Sequence, residues 1–249
     1  MRRVLLALCA FLWIAPAWAT IAFVGAGTYT ASGTASVSLT RNATIASGDA
    51  LIAVVSTQDK SGTSTVATLA GWTAVTHVVS PSNGGFFSET YVFWKIAGGS
   101  EPSSYTWSAG TQGTSYTGID GVTVTYSGTA SSSIINSFAS ATSTTTTLTI
   151  PALTETFQSG EVYIATATSS TNATVSTETP TLTQRFKNAG SDNSYYVGEL
   201  TPASAPGSEA LTGSGGAWGS ASGIGFTIIP PGGAPASCAA TRSMMGVGC

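Results

Sequence analysis

The chain has 249 residues, of which 42% are hydrophobic and only 8% are charged, against roughly 25% charged residues in an ordinary soluble domain. Enough apolar side chains are present for packed cores, in one large β domain or two smaller ones, which excludes a hydrophilic, highly charged disordered chain. The net charge is −3 with eight Lys plus Arg residues, so no basic patch remains and nucleic-acid binding is not expected.

The N-terminus has the pattern of an export signal. Arg2-Arg3 precede the apolar run VLLALCAFLWIAP, which is too short for a comfortable membrane span, and Ala17-Trp18-Ala19 forms an A-x-A cleavage site. We predict a signal peptide at residues 1–19 and a mature chain that begins at Thr20, without a membrane segment and outside the cytoplasm. An uncleaved anchor or a buried helix are the alternatives.

Short apolar runs, broken by Gly, Ser, Asn and Asp, follow from Ile21 to Gly128 and predict strands. Ser47-Gly48-Asp49 is a turn before ALIAVVS, whose continuous apolar character predicts a strand that is buried on both faces. Thr90–Ser108 holds two aromatic strands around the turn GGSEPS, and GVTVTYS alternates strictly. No stretch has a sustained helical period, so little helix is expected.

The second half of the chain repeats this order. Ser159-Gly160-Glu161 corresponds to the earlier Ser-Gly-Asp turn, TLTQRF to GWTAVTHV, and GIGFTII to GVTVTYS, and we align Tyr91 with Tyr195. The sequence therefore predicts an all-β chain with two tandem antiparallel β-sandwich domains, jelly-roll or immunoglobulin-like, at 20–128 and 129–230. A single larger sandwich built from both halves is the structural alternative.

A Pro/Gly-rich tail follows at 231–249, since proline cannot continue a ladder of strand hydrogen bonds. It contains Cys238 and Cys249, the two cysteines that remain after signal cleavage. In an oxidising compartment these could form a disulfide, remain free thiols or bridge two chains, and the sequence leaves the three alternatives open.

Catalytic patterns are weak in this sequence. His77 is the only histidine and has no ligand-spaced Cys, Asp or Glu beside it, so we interpret it as structural. Glu89, Glu101 and Asp120 could supply the carboxylate pair of a glycosidase, although acids in Gly/Ser-rich turns more often bond their own backbone. We predict no catalytic residue, no metal and no cofactor.

The aromatic residues offer a binding alternative. Trp72, Phe86 and Phe87 are the loop aromatics that could stack on a ligand such as a glycan. Val92, Trp94 and Ile96 share one face of their strand and predict a core, and we expect the opposite face, with Tyr91 and Lys95, to be exterior.

The ordered segments SGDALIAVVS, GWTAV, YVFWKIAGGSEPSSYTWS and VTVTYSG resemble a pattern of uncharacterised exported or phage-encoded β-sandwich proteins. The resemblance covers Ser47–Gly128 well and Thr146–Ile229 loosely. It implies a β-sandwich in an extracellular, cell-surface or virion setting, and it implies no catalytic residue.

Three functions follow as hypotheses. The first is a non-enzymatic extracellular structural or interaction protein, a subunit of a surface filament, layer or virion appendage that associates with itself or with other surface subunits. The second is a secreted pair of carbohydrate-binding modules. The third is a glycoside hydrolase that uses the carboxylates named above.

Overall fold

The computed structural model describes residues 20–115, 117–170, 174–189, 194–214 and 220–232. The predicted signal peptide, Cys238 and Cys249 lie outside the described residues. Within these residues there is no helix, and every strand pairing is antiparallel. The prediction of an all-β antiparallel chain is confirmed.

The first half forms a large and a small sheet. Its strands are β1 (Ala22–Ala26), β2 (Thr30–Ser32), β3 (Ser36–Thr40), β4 (Ala50–Asp59), β5 (Thr65–Val66), β6 (Thr73–Val79), β7 (Phe87–Ile96), β8 (Ser104–Thr111) and β9 (Gly118–Ser127). The large sheet has the order β1-β9-β4-β7-β6, with β2 also paired to β9. The small sheet has the order β3-β8-β5.

The second half forms a large and a small sheet of the same plan. Its strands are β10 (Ile135–Ser143), β11 (Thr147–Ile150), β12 (Val162–Ser169), β13 (Thr174–Thr179), β14 (Thr183–Ala189), β15 (Ser194–Leu200), β16 (Glu209–Ser214) and β17 (Ala221–Ile228). The large sheet has the order β10-β17-β12-β15-β14 and the small sheet β11-β16-β13. Apart from β2, each strand has a counterpart at the same place in the other half.

The two Ser-Gly-acid turns show the repeat at the level of the backbone. Gly48 has φ +93° and Gly160 has φ +88°, a left-handed conformation that only glycine adopts without strain. Each turn leads into the central strand of its large sheet, β4 or β12. The sequence prediction that these two turns are equivalent agrees with this backbone geometry.

One predicted correspondence is wrong by a single residue. Tyr91 pairs with Val55 of β4, and the equivalent pair in the second half is Tyr196 with Ala167 of β12. Tyr195 instead points to the other face of its sheet. Because side chains alternate along a strand, a slip of one residue exchanges the two faces, and two adjacent tyrosines hide that slip from a sequence comparison.

The four sheets stack in layers around three apolar cores. The central core lies between the two large sheets and contains buried residues from both halves, among them Ile52, Val54, Val92, Ile164 and Phe226. An outer core lies between the large and small sheets of each half. The halves therefore share a core, as expected for the alternative of a single larger structure. The finer assignment to two tandem sandwich domains stays a prediction.

This layering explains the strands that are buried on both faces. All ten residues of β4 and all eight of β12 and of β17 are buried, because each strand has the central core on one side and an outer core on the other. The expected exterior face of β7 is wrong for the same reason. Tyr91 and Phe93 are 8% and 2% exposed, since the small sheet with Trp107 covers them.

Two equivalent rows of polar residues cross the large sheets. In the first half Asp120, Ser56 and Thr90 lie side by side on β9, β4 and β7. In the second half the same positions on β17, β12 and β15 hold Ser222, Thr168 and Tyr195. All six residues are buried, so they must find hydrogen-bond partners inside the protein.

The rows bond to each other across the central core. Thr90 contacts the hydroxyls of Thr168 and Ser222, while Tyr195, at the position equivalent to Thr90, donates to Asp120 and interacts with Ser56. A set of contacts that maps onto itself when the halves are exchanged is the mark of a twofold interface. The halves thus pack like the subunits of a symmetric dimer.

We expect Phe226→Ala to lower the free energy of unfolding by about 3–5 kcal/mol, the cost of a cavity at a fully buried phenyl ring. Because Phe226 lies in the core that both halves share, scanning calorimetry should show one unfolding transition, shifted as a whole. Thr149→Ala, at an exposed position of β11, is the control and should shift it little. Two transitions, only one of them displaced, would contradict a shared core.

Candidate binding site

A cleft opens at one corner between the two large sheets. It has a volume of about 340 Å³ and is lined by Ala74, Val75, Trp94, Ile135, Asn136, Ser137 and Phe138. β6 and β7 form one wall and the start of β10 forms the other. Phe138 is 49% exposed, which makes it the large apolar side chain with the most exposure among the described residues.

Irregular strand geometry shapes both walls. The pairing of β10 with β17 shifts register between Ile135 and Phe138, so Asn136 and Ser137 bulge out of the ladder. The pairing of β6 with β7 shifts between Ala74 and Thr76, so Val75 bulges as well. A bulge bends its strand and redirects the side chains next to it, and here two bulges face each other across the corner.

The asparagine on this bulge is held in a fixed orientation. Asn136 Nδ2 donates to the Thr156 carbonyl at 3.1 Å and to Glu161 Oε1 at 2.7 Å. Both amide hydrogens have partners in this arrangement, which leaves the side-chain oxygen as the acceptor of the amide group. The side chain can therefore offer a positioned acceptor at the cleft wall.

The twofold-related corner, between β14 and β1, is filled. The register of β14 on β15 places Arg185 at the position of Val75 and Glu199 at the position of Trp94. Arg185 is ion-paired with Glu199, and its guanidinium group lies 4.8 Å from the centre of the Phe23 ring. The two halves have thus diverged at this corner, one toward an internal ion pair and the other toward an open cleft.

Trp72 is not the exposed loop aromatic that the sequence analysis expects. It is 6% exposed and packs edge-on against Tyr105 at 5.0 Å and Trp107 at 5.2 Å, measured between ring centres. Trp72 follows a turn whose backbone hydrogen bond runs to Leu69, and this turn places the indole in the outer core of the first half. Its ring is therefore part of the core.

Phe86 and Phe87 are both partly buried at the start of β7. The Phe86 ring has the ammonium group of Lys60 at 5.1 Å from its centre. The Phe87 ring packs against Gly62, where an added Cβ would lie 3.0 Å from it. A sugar-binding role for these two residues stays a prediction, and both rings already have partners within the chain.

The three candidate carboxylates are not brought together. Glu89 and Asp120 lie on opposite faces of the first large sheet, since Glu89 shares the face of Tyr91 and Asp120 faces the second half. Asp120 accepts hydrogen bonds from Tyr29 and Tyr195. Glu101 lies beyond the far end of β7, roughly 20 Å along the strand from Glu89, where it pairs with Lys95 at 2.8 Å.

The structure instead places Glu89 beside Asp59, which is not among the three candidate carboxylates. Both are fully buried, and both accept a hydrogen bond from the Ser64 backbone N–H. Burial raises the pKa of Glu89 to about 7, a hydrogen bond from Thr57 opposes the rise, and the Asp59 charge adds to it. Neither carboxylate reaches solvent, so the pair organises the loop after β4.

Hydrogen bonds decide the charge on Asp59. Burial on its own would raise the pKa of this carboxyl, but bonds from the Ser64 side chain and from Ser61 and Gly62 outweigh burial and hold the pKa below its usual value. An ionised Asp59 thus bonds the Ser-Gly-Thr-Ser loop that follows it. A neutral Glu89 avoids a second buried charge beside it.

Two more buried glutamates have raised pKa values in the second half. Burial and the neighbouring Glu155 carboxylate raise the pKa of Glu161 to about 7. Burial and Glu178 raise the pKa of Glu209 to about 8, opposed by the Thr179 backbone. Glu209 is 1% exposed, and neither of its carboxylate oxygens makes a hydrogen bond of good geometry.

His77 lies at the surface and packs on an aromatic ring. It is exposed on β6 and stacks on the Tyr91 ring, with 5.1 Å between ring centres and 9° between planes. No group of three or more His, Cys, Asp or Glu side chains within the described ranges is placed to hold a metal ion. The candidate disulfide between Cys238 and Cys249 falls outside those ranges.

No known protein family, curated protein or solved structure matches the chain. The part of the chain that the structure describes contains no helix with the length and apolar character that a membrane span requires.

The buried acids predict an unusual pH dependence. Glu89, Glu161 and Glu209 hold their protons in the folded state up to about pH 7–8, while in the unfolded chain they lose them near pH 4.5. The folded state then binds more protons in this window, so the free energy of unfolding should fall as the pH rises from about 5 to about 8.5.

Urea denaturation at both pH values measures this decrease. Glu209→Gln cannot ionise and should flatten the pH dependence and stabilise the protein at the higher pH. The matched control is Glu101→Gln, because the Glu101 pKa is held below its usual value and its titration lies outside the window. Equal stability of the unmodified protein at both pH values would contradict the assignment.

Proposed function

We propose that the chain is a non-enzymatic structural or interaction protein, exported and acting outside the cytoplasm. In this proposal two related β-sandwich units are fused into one pseudo-dimer, which serves as a subunit of a surface filament, layer or virion appendage. The observation that carries the proposal is the long uncharged edge strand β10, which offers a second copy of the chain a place to dock.

β10 is an uncharged edge strand that is bulged at its start and regular beyond it. It spans nine residues, INSFASATS, with no charged residue and no proline, and among the described strands only β17 pairs with it. From Phe138 to Ser143 its pairing is regular. An edge of this kind presents unpaired backbone N–H and C=O groups to any strand of suitable length.

The opposite edge of the same sheet, β14, carries charges that β10 lacks. β14 carries Arg185 and Lys187, and its bulge interrupts the middle of the strand, whereas the bulge of β10 lies at its start and leaves the pairing from Phe138 to Ser143 regular. Charged side chains and bulges are the usual devices that prevent edge pairing. This contrast between the two edges of one sheet supports β10 as the edge that pairs with a second copy of the chain.

The occupant that fits is β10 of a second copy. The strand carries no charge, so two copies can approach in antiparallel orientation without repulsion, and the segment from Phe138 to Ser143 pairs with itself about a twofold axis. The product is a closed dimer with a continuous ten-stranded sheet. Larger assemblies would use a second contact, for which the N-terminus and the Pro/Gly tail are the connectors that we propose.

Five buried acids support the non-enzymatic part of the proposal. Asp59, Glu89, Asp120, Glu161 and Glu209 are all buried. Four of them bond loops, tyrosines or amides of the same protein. Acids that reach no solvent cannot meet a substrate, so they contribute to structure and pH response.

Light scattering of the mature chain, Thr20–Cys249, tests self-association. We expect a dimer or a larger species, and Ser140→Lys should weaken association at least about tenfold, because it places like charges side by side where the two β10 strands meet. Gln184→Lys, at an exposed position of the protected edge β14, is the matched control and should leave association unchanged.

Two results would contradict the proposal of self-association through β10. A strictly monomeric unmodified protein at high concentration would remove its basis. Assembly that survives Ser140→Lys unchanged would place the contact elsewhere. Calorimetry of each variant checks that the added lysine has not unfolded the chain.

A further inference from the structure

We propose that the open corner cleft binds a neutral saccharide, with the rings of Trp94 and Phe138 as its stacking surfaces. This site differs from the loop aromatics of the sequence analysis, and it does not depend on the self-association proposed above. It rests on the size of the cleft, its side chains and the contrast with the filled corner.

The cleft has the size and composition of a small-ligand site. Its volume of about 340 Å³ lies within the range of ligand pockets, which are mostly apolar with a few placed polar groups. Trp94 and Phe138 supply aromatic surface, and Asn136 and Ser137 supply hydrogen-bonding groups. The other three lining residues are aliphatic (Ala74, Val75 and Ile135), and both polar residues lie on the β10 wall.

The side chains of the cleft favour a neutral ligand. None of the seven lining residues is charged, so neither an anion nor a cation would recover the hydration energy that it loses on entering. An aromatic face carries partial negative charge and attracts polarised C–H groups. A sugar ring combines such C–H faces with a rim of hydroxyls that Asn136 and the bulged backbone can bond.

The filled corner indicates what kind of group suits this space. There the flat guanidinium of Arg185 covers the Phe23 ring and meets Glu199 at its edge. In the open corner, Val75 is too short to fill that volume, and Trp94 replaces the acid. A flat group with an apolar face and a hydrogen-bonding rim therefore occupies the related space, and a pyranose ring has that form.

The geometry also fixes how the ligand would lie. Asn136 is anchored through Nδ2 to Thr156 and Glu161, so its amide oxygen accepts from a sugar hydroxyl without losing an internal bond. Phe138 stands at the open side with half of its surface exposed. Sugar units beyond the first would continue along this ring toward solvent, which favours an oligosaccharide over a monosaccharide.

Isothermal titration calorimetry of the mature chain with hexasaccharides of cellulose, chitin, xylan and mannan tests the proposal. We expect at least one of the four to bind and to change the tryptophan fluorescence. Phe138→Ala should weaken this binding about tenfold through loss of one stacking ring. Ala74→Phe, at an exposed lining position, should fill the cleft and abolish binding.

The matched control is Phe86→Ala, which removes the same ring from the loop that faces Lys60. It should leave binding unchanged, and Ser140→Lys should leave it unchanged as well, which separates this proposal from self-association. The proposal is overturned if none of the four hexasaccharides binds. It is also overturned if binding survives both cleft variants, or if Phe86→Ala abolishes it. Thermal unfolding of each variant confirms that it is folded.

Discussion

The structure depends on the burial of large sheets that are apolar on both faces. β4, β9, β12 and β17 present aliphatic and aromatic side chains to either side, so a single small sheet cannot cover them. Each half could bury one face with its own small sheet, but the other face would still meet water. Apolar burial contributes about 25 cal/mol per Å², and this free energy drives the two halves together. Each half therefore needs the central core to bury the second face of its large sheet.

The twofold relation between the halves accounts for the polar groups inside this core. Two copies of one sheet, packed face to face, bring each polar row opposite its own counterpart. Thr90, Thr168 and Ser222 satisfy one another as short hydroxyls, while Tyr195 spans the wider equivalent gap to Asp120. The polar rows of the two halves differ in sequence, yet each residue that differs still has a hydrogen-bonding partner in the row that faces it. This matching is expected because an unpaired buried polar group costs about 1–3 kcal/mol.

The sequence predicts the strands and the repeat well and the tertiary contacts poorly. Alternation and Ser-Gly-acid turns identify β4, β9, β12 and β17, since these signals are local. The burial of Trp72 and Tyr91 is not local, because it depends on a small sheet whose strands come from distant parts of the chain. The cleft was missed for the same reason: Trp94 and Phe138 come from different halves, and only packing places them at one corner. Asp59 lies in a segment typical of a turn, and its proximity to Glu89 follows from strand register.

Layered packing also limits where this protein can meet other molecules. The interior faces of both large sheets are covered, and the acids that lie between the layers are closed off from solvent. Recognition is then left to the outer surfaces, the strand edges and the corners where two sheets separate. β10 combines two of these, since its regular part from Phe138 to Ser143 is an open edge and its bulged start forms one wall of the cleft. The equivalent strand β1 faces Arg185 and Glu199, an ion pair that closes its corner. In a duplicated fold, one corner can stay closed and contribute to stability while the other opens to bind a ligand. The difference between the two corners is what this division of roles predicts.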